Sequence, residues 1–229
     1  MGIEYRILFS RENPSPQYVK LLHEYKKMHE GGKVFDGRSL HNWIDIIGDL
    51  LEEHSCKTLL DYGSGQGKLY TDDFCNLSDK LKCKIQDHWK LDEVHLFEPA
   101  IKEFEVLPDK KFDAVICTDV LEHIPKADLG WVLEEMFARA DKLLFLNIAT
   151  YPALKTFADG TNVHVSLFPV KDWLSFIERI HNRYPAVTVE VYFDEYKEFE
   201  VLTSGFKLEG RDARYKNSLS AETATAQSA

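Results

Sequence analysis

Residues 61–67, Asp-Tyr-Gly-Ser-Gly-Gln-Gly, have the composition of a backbone turn that wraps a ligand. They follow the apolar run Thr58-Leu59-Leu60, so a short buried strand delivers them. Glycine lets a strand reverse sharply and lets the main chain approach a ligand closely. Two phosphate-binding patterns fail here. A dinucleotide turn needs Gly-x-Gly-x-x-Gly, but the third glycine falls one place early, at Gly67, and Lys68 follows it. A P-loop needs Gly-x-x-x-x-Gly-Lys-Ser/Thr; Gly67-Lys68 fits the middle, while Tyr62 and Leu69 occupy the two ends. What remains is either a tight turn with no ligand or a site in which Asp61 faces a ligand ammonium.

Two further constellations bear on that choice. In Leu96-Phe97-Glu98-Pro99 an acidic residue stands at the carboxyl end of the next strand, where a carboxylate can accept two hydrogen bonds from a ribose diol. An isolated glutamate there reads equally as a solvated loop residue, and its distance from Asp61 exceeds the ~20 residues usual after a nucleotide-binding turn. The strand 112–117, Phe-Asp-Ala-Val-Ile-Cys, then delivers the polar cluster Thr118-Asp119-Val120-Leu121-Glu122-His123 to the carboxyl edge of the sheet. That edge is where open α/β sheets bind ligands.

Taken in order, Leu-Leu-Asp-Tyr-Gly-Ser-Gly-Gln-Gly, Phe-Glu-Pro and Phe-Asp-Ala-Val-Ile-Cys-Thr-Asp-Val-Leu-Glu-His-Ile resemble the Rossmann-like (class I) S-adenosylmethionine-dependent methyltransferases of small-molecule type. The resemblance covers roughly residues 36–205, and the Asp-Val-Leu-Glu-His-Ile run is its most specific part. It implies a three-layer α/β sandwich with a mostly parallel seven-stranded sheet and an antiparallel edge hairpin. It implies S-adenosylmethionine as cofactor, with Asp61, Tyr62, Gly63, Ser64 and Gly65 around the methionine part and Glu98 on the ribose. Pro99 and residues 105–107 fall near the adenine, with Cys117 and Asp119 completing the site. The helices before the turn close over such cofactors, which brings Phe35 and Arg38 within reach. The Asn/Asp-Pro-Pro-Tyr signature of amino-methyltransferases is absent at the fourth strand.

A sulfonium already makes the methyl group electrophilic, so the protein must hold an acceptor in line with it and exclude water. Amines and thiolates need little more, whereas hydroxyl and carbon acceptors usually need a general base. His123 follows the strand end and titrates near neutrality, which makes it the first candidate base; the competing reading has Glu122 and His123 merely fixing the loop. His164, in Thr161-Asn162-Val163-His164, lies on a long loop of the kind that carries substrate contacts, or is a surface histidine. Asn147 and Tyr151 flank the same edge, and Trp173 reads as core. The expected product is S-adenosylhomocysteine. A protein methyltransferase and a cofactor-binding protein without turnover are the alternatives. The acceptor's identity and the oligomeric state are not legible.

The elements that must position these residues follow from periodicity. Ser15-Pro16 reads as a helix start, with Tyr18, Leu21, Leu22 and Tyr25 on one face and Gly31-Gly32 after it. A second helix begins between Asp36 and Ser39, its apolar face made by Leu40, Trp43, Ile46, Ile47, Leu50 and Leu51. Residues 68–91 read as a short helix and loop. Strands are expected at 93–97, 112–117 and 142–146, helices at 126–140 and 170–182, and two short strands at 187–193 and 198–202 that can pair. Alternation of strands and helices implies a sheet covered on both faces. One domain is expected over residues 1–217, with 15–55 over the cofactor site and a disordered 218–229.

Among 229 residues, apolar types make up 44% and the formal net charge is −10. That charge argues against binding nucleic acid or anionic membranes, both of which need a basic surface. The amino terminus has no signal-peptide pattern, and no window approaches the ~20 apolar residues of a membrane span. A soluble cytoplasmic protein with reduced thiols is expected. The four cysteines form no Cys-x-x-Cys pair, which argues against zinc, and no metal site is read.

Overall fold

The computed structural model describes residues 8–30, 37–76, 78–197, 200–210 and 216–217. Gly31-Gly32, Phe35, Asp36 and the tail from Ser218 lie outside the described residues. The chain is α/β, with a mostly parallel sheet between two layers of helix.

The first helix, α1 (Pro16–Glu30), starts where Ser15 caps it: the Tyr18 amide donates to Ser15 Oγ at 3.1 Å. Ser15 in turn donates through its hydroxyl and its amide to buried Asp128, at 2.5 and 2.9 Å, which ties the start of α1 to the residue that precedes Leu129 in the chain. A 3-10 turn (Arg38–Trp43) leads into α2 (Ile44–Glu53). The strand β1 (Thr58–Tyr62) enters the glycine turn. Two 3-10 turns (Lys68–Tyr70 and Asp72–Asn76) and the short α3 (Ile85–His88) connect it to β2 (Glu93–Phe97). After β3 (Phe112–Thr118) come a 3-10 turn (Leu121–His123), α4 (Leu129–Arg139), β4 (Ala140–Ala149), α5 (Val170–His181), β5 (Thr188–Lys197), β6 (Glu200–Leu208) and the two-residue β7 (Lys216–Asn217).

The hydrogen-bonded order is β2-β1-β3-β4-β5-β6-β7. β1 to β5 run parallel, β6 pairs antiparallel with β5, and β7 with β6. From β1 the chain moves to one side to make β2 and then to the other to make β3. The crevice beyond the carboxyl ends of β1 and β3 is therefore a topological switch point, where such sheets bind ligands.

Strand alternation sorts the core into two faces. Leu60, Tyr62, Val115 and Cys117 pack with α4 and α5, including Leu133, Phe137, Trp173 and Phe176. Leu59, Ala114, Ile116, Leu143 and Phe145 pack with the 3-10 turn and α2, including Trp43, Ile44 and Ile47. The apolar faces read for α2, α4 and α5 are the buried ones. Several boundaries differ from the sequence reading. The strand expected at 142–146 runs 140–149, because Ala140, Asn147 and Ala149 are also buried against neighbours. The pair expected at 187–193 and 198–202 runs 188–197 and 200–208. Polar Asp194 to Lys197 continue β5 through main-chain pairing with residues 200–203, and pairing does not depend on apolar side chains. The expected helix 126–140 is shorter, at 129–139. Cys56, Cys83 and Cys117 are free thiols. Among the described residues no helix is long and apolar enough to cross a membrane.

Candidate functional site

A cavity of about 630 Å³ opens at the switch point, within the ~300–1,000 Å³ typical of ligand pockets. Its floor is the glycine turn and its walls are the strand ends that carry Glu98 and Asp119; α1 covers it with Tyr18, Leu21 and Tyr25. Only Leu21 of α1 is fully buried, so this helix spends its inner face on the cavity rather than on the core.

The turn's geometry depends on glycine. Gly63 has φ +85°, and a β-carbon there would meet Val120 Cγ2 at 2.3 Å. Gly67 has φ +59°, and its β-carbon would meet Leu96 Cδ1 at 2.5 Å. The Gly63 and Ser64 amides donate to the Phe97 carbonyl at 2.7 and 3.1 Å, which locks the turn to the end of β2. The Gly65 amide turns instead to the Glu98 carboxylate, which also accepts from the Ala100 amide at 3.0 Å.

The carboxylates are the dominant electrostatic feature. Asp61 is buried, and desolvation pushes its carboxyl up to about 7; the Tyr70 hydroxyl, donating at 2.9 Å, opposes that rise and the charge of Glu98 adds to it. Glu98 is raised by burial, against the pull of the two amides it binds. Asp119 follows β3 with φ +60°, a left-handed conformation rare outside glycine and a sign of local strain. It accepts from Ser39 Oγ at 3.0 Å, and its amide donates to the Asn147 carbonyl. Glu122 is fully buried. Its Oε1 accepts from the Ala149 amide at 2.6 Å, and its Oε2 has no hydrogen-bond partner among the described residues; burial first, and Asp119 second, push its carboxyl well above the usual carboxylate range.

Two histidines stand beside Asp119. His123 Nδ1 lies 2.8 Å from the Tyr25 hydroxyl and 3.1 Å from the Val163 carbonyl. Burial pushes it down to about 4, against the opposing charge of Asp119, so its ring is neutral at physiological pH. His164 Nδ1 lies 2.6 Å from the Tyr151 carbonyl. A carbonyl only accepts, so Nδ1 carries the proton and Nε2 the lone pair. The rings meet edge to face, 4.7 Å between centroids. The long loop reaches this position because it is stitched to the turn after β3: the Ser166 amide donates to the Glu122 carbonyl and Ser166 Oγ to the Ile124 carbonyl. Asn162 braces the loop, accepting from the Ala153 and His164 amides and donating to the Ala153 carbonyl.

The structure thus gathers Asp61, Tyr62, Gly63, Ser64, Gly65, Glu98, Pro99, Asp119, His123 and His164 around one cavity. Tyr62 only borders it, since its ring packs against Phe97 in the core. Cys117 does not line it; strand parity turns this fully buried thiol toward the α4–α5 face. Residues 105–107 are also outside the wall: Leu107 packs on the core and Val106 is exposed. Arg38 and Tyr151 line the cavity, whereas Asn147 is occupied with Asp194. Ser39, Tyr25 and Tyr70 went unread as site residues. Tyr25 looks like core in a helical repeat, and nothing local marks Tyr70 as the partner of Asp61. No protein-family model and no curated protein matches the chain.

Proposed function

We propose that this cavity binds S-adenosylmethionine and serves methyl transfer to a small-molecule acceptor, releasing S-adenosylhomocysteine. The supporting observation is the charge of the site. Asp61, Glu98 and Asp119 come from the ends of three adjacent strands, and the influences on the Asp61 carboxyl are burial, the Tyr70 hydroxyl and the like charge of Glu98; Arg38 and Lys155, which also line the cavity, are not among them. A buried carboxyl held near neutrality is relieved by a positive ligand, whereas a phosphate-bearing one would be repelled. A ligand with an ammonium, a sulfonium and a ribose diol fits that wall: Asp61 for the ammonium, Glu98 for the diol, the Gly63–Gly65 backbone against the methionine chain. On this reading the sheet is the seven-stranded methyltransferase layout with an antiparallel edge hairpin, and the protein is cytoplasmic.

The bound sulfonium supplies an activated methyl group. The chain's own work is positional. α1 closes the cavity against water, the strained Asp119 and its Ser39 contact fix one wall, and His123 and His164 attend to the acceptor and its proton. Calorimetry with S-adenosylhomocysteine tests the reading. The parent chain is expected to bind it, and Gly65→Arg, which fills the turn, to lose binding by at least 100-fold while remaining folded. Equal binding by the two proteins would sink the proposal.

A further inference from the structure

Asp119, His123 and His164 each present a ligand atom, and these atoms all lie within 4.8 Å of one another. Two imidazoles and one carboxylate facing a cavity form a donor set suited to a borderline divalent ion such as Zn²⁺, Co²⁺, Fe²⁺ or Mn²⁺, rather than Mg²⁺, which prefers oxygen alone. We propose that these three residues form a divalent transition-metal site that holds and polarises an oxygen of the acceptor.

Distance alone permits it. Bonds of about 2.0–2.2 Å at tetrahedral angles hold ligand atoms about 3.3–3.6 Å apart, so a pair at the 4.8 Å bound closes by roughly 1.2–1.5 Å through side-chain rotation when the ion binds. The surroundings are more telling. Metal-binding histidines usually donate their second ring nitrogen to a carbonyl or carboxylate, which fixes tautomer and ring plane. His164 does this through Nδ1 to the Tyr151 carbonyl, leaving the Nε2 lone pair as ligand. His123 has the same option through Nδ1 to the Val163 carbonyl, with the Tyr25 hydroxyl alongside. Asp119 is backed by Ser39 and by Glu122, and Glu122 is itself anchored on the Ala149 amide. All three ligands are thus braced from behind, two of them on the turn after β3 and the third on a loop stitched to that turn.

Three protein ligands leave at least one position open, as in catalytic rather than structural metal sites. The cavity reaches all three residues, so that position is accessible to a ligand. A divalent ion lowers the pKa of a bound hydroxyl by many units. The acceptor hydroxyl then loses its proton to water and attacks as the oxyanion; the new O–C bond forms as the C–S bond breaks, and the electron pair of that bond goes to sulfur, leaving a neutral thioether. Only this acceptor assignment, a hydroxylated small molecule, rests on the methyltransferase reading; the metal site does not.

The test uses the full chain, stripped with chelator and dialysed. Titration with Co²⁺, followed by visible absorption, and with Zn²⁺, followed by calorimetry, is expected to show one ion per chain. His164→Gln and Asp119→Asn are each expected to weaken binding at least tenfold with an unchanged far-UV spectrum. His123→Gln should do the same, and if it fails to fold, the His164 variant on the outer loop still decides. No stoichiometric binding by the folded parent overturns the site, as does binding that His164→Gln and Asp119→Asn leave unchanged. S-adenosylhomocysteine calorimetry on the same samples separates the two readings. Metal binding without nucleoside binding keeps the site and ends its assignment to methyl transfer; nucleoside binding without metal does the reverse.

Discussion

Two neighbouring residues at the end of β1 enter opposite kinds of polar environment. Tyr62 points to the α4 side. There its hydroxyl donates to Glu135 at 2.9 Å, and Arg11 reaches both groups, donating through Nε to Glu135 at 2.6 Å and through Nη2 to Tyr62 at 3.2 Å. The guanidinium lies 4.8 Å over the Phe97 ring. Opposite charges are matched, and every partner is protein. Asp61 points the other way, into the cavity, among Glu98 and the Tyr70 hydroxyl, where burial lifts its carboxyl to about 7. The first environment is matched within the protein; in the second, burial and the like charge of Glu98 raise the Asp61 carboxyl, and the cations on the cavity wall, Arg38 and Lys155, are not among the influences on it. The contrast shows how one fold can place a matched polar network and a cavity wall a single residue apart: strand parity sends alternate side chains to opposite faces.

Breaking the matched side should have the largest effect. Glu135→Ala strands the Arg11 guanidinium and the Tyr62 hydroxyl, and chemical denaturation should show a loss of about 3 kcal/mol, the low end for a broken buried pair because Arg11 keeps some contact with water. Ligand affinity should barely change, and a large change would mean the two sides are coupled. Neutralising the unmatched side should go the opposite way. Asp61→Asn is expected to stabilise the ligand-free protein at pH 8 by on the order of 2 kcal/mol, within the ~4 kcal/mol that a rise from 3.8 to about 7 implies. The same change should weaken S-adenosylhomocysteine binding.

The sign follows from linkage. A carboxyl whose pKa is raised by folding contributes full stability below its unfolded value, and that contribution is lost as pH rises through about 7. The ligand-free protein should therefore lose stability between about pH 4 and 7 from this group. A ligand ammonium prefers the ionised form, so affinity should fall up to tenfold for each pH unit below about 7. A flat affinity profile in that range would remove Asp61 from the site. The smallest effect belongs to a half-buried pair at the opposite end of the sheet, Lys142 with Asp113 at 2.9 Å. Lys142→Ala should cost less than about 0.5 kcal/mol, because water already screens both charges, and should leave the ligand untouched.

Much of the fold was legible because it is written in local repeats. The apolar faces of α2, α4 and α5 and the strands around Leu60, Leu96 and Val115 follow from spacing alone. Strand ends were less so. β4 and β5 extend past their apolar stretches because hydrogen bonding with neighbouring strands, absent from any local pattern, carries them on.

By itself the sequence determined the glycine turn, Glu98 and the Asp119–His123 cluster, since each is a short motif at the end of an apolar strand and parallel pairing aligns such ends on one edge. It could not determine what lies beyond that edge. His123 and His164 are 41 residues apart, and they meet because Ser166 is bonded to the Glu122 and Ile124 carbonyls. Arg11 and Glu135 are separated by 124 residues, and Ser15 finds Asp128 across 113. Whether Cys117 faced the cavity was decided by parity within the buried run from Ala114 to Cys117, where both faces are apolar and composition does not distinguish them. Contacts between distant segments depend on how layers close over one another, and that is settled by the packing of the whole chain rather than by any stretch of it.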